Sequence, residues 1–177
     1  MKNIDYLNLG CGKDIRKDWV NLDLNNGEGV DIVHDLDIFP YPFKDNIFTK
    51  INVEAIMEHL NNPKKFIDEI HRISKKDCKT NITVPHFSSW SVWGDITHKR
   101  GFNSTSLDCV DIKKRNFSLL EKENIKFKIN KIIIFSGIKK IIQPIVNIND
   151  ITRCVYERNI AYFFSADIIK WDLITIK

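Results

Sequence analysis

Leu7-Asn-Leu-Gly-Cys-Gly-Lys13 is the stretch that decides the fold. The apolar run Tyr6-Leu-Asn-Leu9 reads as a short strand that ends directly in Gly10-Cys11-Gly12. Glycine adopts backbone conformations that other residues resist, and it lets a ligand approach the chain closely. In an open parallel sheet, ligands sit beyond the carboxyl ends of the strands. This turn is therefore a candidate floor for a binding site. Taken alone, it is equally compatible with a plain strand-to-loop turn.

Working outward, four more strand signals follow. Trp19-Val-Asn-Leu-Asp-Leu24 alternates apolar and polar residues, the period of a half-buried strand. Val30–Leu36, Phe48–Val53 and Thr80–Val84 are β-branched runs, the last stopped by Pro85. Between the last two lies a well-signalled helix. Asn62 is a good N-cap and Pro63 a good first residue. Phe66, Ile67, Ile70 and Ile73 form one face; Lys64, Lys65, Asp68, Glu69 and Arg72 form the other. Lys75 and Lys76 are expected to close it, where cations suit the negative end of the helix dipole. Strand, helix and strand make a right-handed βαβ unit with parallel strands.

Each strand end delivers a polar group to the same edge. Asp23 lies thirteen residues after Gly10, where a carboxylate can accept two hydrogen bonds from a ribose diol. Asp35 precedes Leu36, a pairing that suits an adenine: one accepts from the exocyclic amine and the other packs on the ring. Asn52-Val-Glu54 ends the fourth strand. A dinucleotide fingerprint is not met. Position 15 is Ile where the third glycine is required, and the acid comes too early.

The second half is less regular. Ser88–Asn103 reads as an aromatic, polar loop and Thr105–Arg115 as a helix. Phe127–Phe135 and Asp167–Ile176 read as strands that pair antiparallel at the sheet edge. Residues 138–161 read as a partly helical insertion bent at Pro144, within a single domain spanning 1–177. The chain has 177 residues, 43% apolar and 28% charged, an ordinary globular composition. A net charge of +4 is too weak to argue for nucleic acid. Cys11, Cys78, Cys109 and Cys154 form no C-x-x-C pair, so a zinc ribbon or thioredoxin motif is excluded. With a polar start and no long apolar run, no leader or membrane span is expected, and the expected compartment is the cytoplasm.

Leu7–Gly12, Asn21-Leu-Asp23, Asp35, Phe43-Lys-Asp-Asn-Ile-Phe48, Met57-Glu-His-Leu60 and Val84-Pro85 together resemble the ordered motifs of class I S-adenosylmethionine-dependent methyltransferases. The resemblance covers residues 4–87 and is to the small subfamily whose first helix is cut short. It implies an α/β, Rossmann-like methyltransferase fold: a mostly parallel seven-stranded sheet with an antiparallel edge strand. It implies S-adenosylmethionine as cofactor. Carried over, Asn8, Leu9, Gly10, Cys11 and Gly12 form the loop under the methionine part. Asp23 holds the ribose, with Leu24 against the adenine, and Asp35 and Leu36 hold the adenine edge. Asn52, Val53 and Glu54 flank the methyl donor, and His59 borders the reaction centre. Asn8 stands where the family usually has an acid, and Thr49 where it usually has Asp.

Methyl transfer asks mainly for alignment and a dry pocket, although a hydroxyl or amine acceptor can also need a general base. The loop after the fifth strand supplies candidates in His86, Asp95 and His98. Arg100 and Lys99 can pair with an anionic acceptor, and Trp90 and Trp93 can stack on a sugar or planar ring. Two plainer readings stay open: the tryptophans close the sheet's apolar edge, and His98 holds the loop through a backbone hydrogen bond. His86, Asp95 and His98 have metal-ligand chemistry, but their spacing is not diagnostic, and no metal is expected. The expected acceptor is a small molecule or glycan-like. An inactive binding or scaffold protein and a nucleic-acid methyltransferase are the alternatives. The cluster Ile141, Ile142, Ile145, Val146 and Ile148 suits either a homodimer surface or a core helix.

Overall fold

Apolar and polar residues alternate along the central strands, and the sheet sorts them onto two faces. The structure, a computed structural model, describes residues 5–114 and 125–177. Its strands are β1 (Tyr6–Leu9), β2 (Val20–Asp23), β3 (Ile32–Val33), β4 (Phe48–Glu54), β5 (Ser74–Pro85), β6 (Lys126–Ile134) and β7 (Ile168–Ile176). They form one seven-stranded sheet in the order β3-β2-β1-β4-β5-β7-β6. The first five strands pair in parallel; β7 runs antiparallel to both β5 and β6. The antiparallel strand thus sits one place in from the edge, which β6 forms.

One face carries the core. Leu7 and Leu9, Leu22, Ile51 and Val53, Ile82 and Val84, and Trp171 and Leu173 are buried against helix α1 (Pro63–Ile73) and the 36–60 segment. The helix buries Phe66, Ile67, Ile70 and Ile73, as its period requires. Asn62 caps it by accepting from the Lys65 amide. It ends at Ile73, and Lys75 and Lys76 belong to β5 instead of the last helical turn. The Ser74 amide and hydroxyl both donate to the Ile70 carbonyl, ending the helix where the strand begins.

The other face is polar. Backbone register places Asn21, Asn8, Asn52, Asn81, Asp172 and Asn130 side by side in one row across six strands. Asn8 donates to Asn21 at 3.3 Å, Asn52 to Asn8 at 3.0 Å, and Asn81 to Asp172 at 2.7 Å. Asn8, Asn21 and Asn52 are buried, and these bonds, with those to Asp14 and Arg16, satisfy them there. A cavity of about 420 Å³ opens on this face, walled by strand residues plus Arg16 and Trp19. The β1–β2 connection is a series of turns with no helix.

Other segments depart from expectation for local reasons. Thr105–Arg115 is not a helix: a 3-10 turn at Asp108–Val110 lies among ordinary turns, and Arg115 falls outside the described residues. There the Asn103 side chain takes the Thr105 amide and hydroxyl, and the Ile112 amide bonds to Phe127 of β6. Backbone donors spent this way are lost to a helical ladder. The Ser88–Asn103 loop contains a short helix, α2 (Trp90–Gly94), with Ser89 as its cap. Between β6 and β7 come a 3-10 helix (Gly137–Ile142), α3 (Gln143–Val146) and α4 (Asp150–Asn159). Val146 and Tyr156 join Ile133 and Phe135 in a second small core. Ile138, Ile141, Ile145 and Ile148 are exposed, so these helices bury only one edge. Among the described residues no helix is long and apolar enough to cross a membrane.

Candidate functional site

A cavity of about 350 Å³ lies at the carboxyl ends of β1 and β2 and the segment after β3. Gly10, Asp23, Leu24, Asp35, Leu36, Ile56 and His59 line it, with His34, Asp37, Leu60 and Lys99. Gly10 has φ +63, and a Cβ there would lie 2.0 Å from Ile56 Cδ1. The turn therefore needs glycine both for its backbone and for its close approach to the chain after β4. Gly10→Ala is expected to cost about 1–2 kcal/mol from the left-handed backbone alone. It should also push Ile56 toward the cavity. Urea denaturation and S-adenosylhomocysteine titration check both effects.

Asp23 is held in place by its own loop. Its Oδ2 accepts from the Gly12 amide at 2.8 Å and its Oδ1 from the Asn25 amide at 3.0 Å. A carboxylate has about four acceptor sites, so it retains capacity for a diol. Asp35 accepts from the Asp37 amide through Oδ1, and Leu24 is exposed at the cavity mouth. Two carboxylates, two leucines and a bare glycine turn fit an adenosyl group: polar where its hydroxyls and amine lie, apolar where its ring lies. Asp37 braces the opposite wall, accepting from the Asn61 amide and side chain.

Not every expected cofactor contact faces this cavity. Leu9 and Val53 are fully buried in the core. Asn8 and Asn52 lie in the amide row on the polar face. Cys11 is buried behind the turn; burial first, then the nearby Asp23 charge, raises its thiol pKa. Glu54 is exposed, 3.9 Å from Arg16.

Next to the cavity, β4's following turn meets the loop after α2. Glu58, His59 and His98 come together there, one donor atom from each lying within 4.8 Å of the others. Glu58 is 1% exposed and neither carboxyl oxygen has a hydrogen-bond partner. Burial pushes its pKa up to about 7. Burial, and then the adjacent His98 ring, hold the His59 pKa below the ordinary histidine value. The two imidazoles pack edge to face, centroids 4.6 Å apart. Asp95 accepts from the Thr97 hydroxyl at 2.6 Å and amide at 2.8 Å, which lowers its pKa. Its second oxygen is 3.8 Å from His98 Nε2.

The structure does not bring His86 into this group. It is fully buried, with Nδ1 against Ser88 Oγ at 2.8 Å and Nε2 against Glu157 at 3.3 Å. Glu157, on α4, also accepts from the Ser104 amide and hydroxyl. One buried carboxylate thus grips both ends of the 86–104 segment. His98 Nδ1 donates to the Val92 carbonyl at 3.1 Å, which fixes the loop as the plainer reading held. Arg100 is turned to the Asn61 carbonyl. Trp90 and Trp93 are 79% and 77% exposed, so they do not close the sheet edge. Sequence reasoning assigned no role to Glu58 or Glu157. Glu58 stands in the quoted Met57–Leu60 motif, and its place between two buried apolar residues was the available signal; Glu157 had none.

Residues 11–80 match the family model described as a methyltransferase domain. A comparison with curated proteins gives no match. The structure is similar to that of a SAM-dependent methyltransferase from Archaeoglobus fulgidus, at 12% identity and TM-score 0.62, covering 97% of this chain and 85% of that one. A methyltransferase from Mesorhizobium loti is similar at 10% identity and TM-score 0.54, covering 98% and 91%. The [4+2]-cyclase SpnF is similar at 14% identity and TM-score 0.60, covering 98% and 75%. At such identities the likeness is one of fold. The chain thus shares the Rossmann-like fold of S-adenosylmethionine-dependent methyltransferases, and its residues 11–80 match a methyltransferase domain.

Proposed function

We propose that this chain methylates a small-molecule or glycan-like acceptor held between the 350 Å³ cavity and α2. The observation that carries the reading is the shared wall. His59 lines the cofactor cavity and also touches the Asp95–His98 loop through Thr97 at 3.0 Å. In this reading Asp23 accepts from the ribose hydroxyls, Asp35 and Leu36 meet the adenine, and the Gly10 turn lies under the methionine part. S-adenosylmethionine supplies a methyl group already activated on sulfur. The chain's work is then alignment, exclusion of water and handling of the acceptor's proton. Glu58, His59, Asp95 and His98 supply the polar groups on the acceptor side. The flat, solvent-facing rings of Trp90 and Trp93 suit a sugar face.

Asp23→Ala tests the cofactor half. It should weaken S-adenosylhomocysteine by about 1–3 kcal/mol, roughly 5- to 150-fold, by calorimetry. Unchanged affinity in a folded variant would refute the ribose assignment. The acceptor half is tested by turnover on hydroxylated small molecules and saccharides against RNA and DNA. Methylation of nucleic acid alone would overturn it.

A further inference from the structure

We propose that Glu58, His59 and His98 form a binding site for a divalent first-row transition ion of the Zn²⁺ class. Two imidazoles and a carboxylate are the donor set such ions favour, with positions left open beyond three protein ligands. The ion's presence rests on these side chains alone; any role in activating the acceptor rests on the reading above.

The hydrogen bonds around the histidines fix where their lone pairs are. A carbonyl only accepts, so His98 Nδ1 carries the proton that meets Val92 O, and its Nε2 is bare. The Thr97 hydroxyl spends its single proton on Asp95, so it accepts from His59 Nδ1–H, and His59 Nε2 is bare as well. Metal-binding histidines are oriented in this way, by a hydrogen bond from the nitrogen that does not ligate. The third donor is independent evidence for a ligand. Glu58 is buried, and both carboxyl oxygens lack any protein partner. A buried carboxyl left so is costly, and a cation between it and two bare nitrogens satisfies it.

One donor atom of each residue, a ring nitrogen for each histidine, lies within 4.8 Å of the others. In a tetrahedral site with bonds of about 2.0–2.2 Å, neighbouring ligand atoms lie about 3.3–3.6 Å apart. Side-chain rotations that shorten the separations by up to roughly 1.2–1.5 Å would close the set. Asp95, 3.8 Å from His98 and partly exposed, is the available fourth donor. The trio suggested by the sequence, His86 with Asp95 and His98, is not assembled, because His86 is turned to Glu157.

The test uses the full chain, stripped with chelator and titrated with Zn²⁺ by calorimetry and with Co²⁺ by visible absorption. One ion per chain is expected. Glu58→Gln preserves the side chain's volume and should weaken Zn²⁺ at least tenfold, as should His59→Asn. Thr97→Val removes only the group that holds His59 and should weaken it by about 10- to 100-fold. Absence of stoichiometric binding, or an affinity unchanged by Glu58→Gln or His59→Asn, would overturn the site. If thermal melting shows that Glu58→Gln is unfolded, His59→Asn decides. S-adenosylhomocysteine titrated in parallel separates the two readings. Its binding without Zn²⁺ binding removes the metal site alone; Zn²⁺ binding without it removes the cofactor assignment alone.

Discussion

Glu157→Ala is expected to lower the unfolding free energy by about 3–5 kcal/mol, because it leaves several buried donors unpaired at about 1–3 kcal/mol each. The carboxylate is nearly buried and accepts from the Ser104 amide at 2.7 Å, the Ser104 hydroxyl at 2.8 Å and His86 Nε2 at 3.3 Å. Alanine would leave these donors without a partner inside the protein, where each costs its desolvation. The effect is also pH-dependent. Burial alone would raise the Glu157 pKa, but the His86 and Ser104 hydrogen bonds outweigh it, and the net shift is downward from 4.5. A depressed carboxyl pKa contributes stability that is complete above the unfolded value and is lost as pH falls through the folded one. The stability gap between wild type and Glu157→Gln should therefore be full at pH 7 and shrink below about pH 4.5. Urea denaturation across that range measures it, and a gap that grows in acid would contradict the assignment. The same variant should slow methyl transfer more than it weakens S-adenosylhomocysteine. Its contacts hold the Asp95–His98 loop, while the 350 Å³ cavity proposed for the cofactor is built from residues 10–60 and Lys99.

Trp171→Ala should cost a similar amount, about 3–5 kcal/mol, as large buried aromatics do. Trp171 has no exposed surface and occupies β7, the strand between β5 and β6. Its ring meets Phe102 edge to face, with centroids 6.1 Å apart. Phe102 is bridged to His86 and follows Arg100 closely, so this contact ties the sheet to the 86–104 loop. Trp171 Nε1 is buried without a hydrogen-bond partner. Trp171→Phe should therefore lose well under half as much as alanine, since it keeps most of the apolar volume and removes the orphaned N–H. Equal losses in the two variants would show that the ring's volume is not what matters there.

Much of the 350 Å³ cavity was legible along the chain because its lining is local. Gly10, Asp23, Leu24, Asp35 and Leu36 lie at successive strand ends, and parallel strands necessarily carry their ends to one edge. The family resemblance implies Asn8 and Asn52 in the same site. Strand alternation sends them to the opposite face, where they join the amide row. The Thr105–Arg115 segment misled for a related reason. Its composition permits a helix, but Asn103 and β6 compete for its backbone donors.

Taken by itself, the sequence determined the strands, helix α1 and the glycine turn, since these depend on residue period and on backbone conformations within a few residues. Tertiary structure decided which groups of the 86–104 loop meet the rest of the chain. Glu58 and His98 are forty positions apart, and His86 and Glu157 are seventy-one. Both histidines belong to one short loop, yet one is drawn into a buried brace and the other faces the cavity wall. That division depends on which carboxylate the fold carries to each, and no local pattern encodes it.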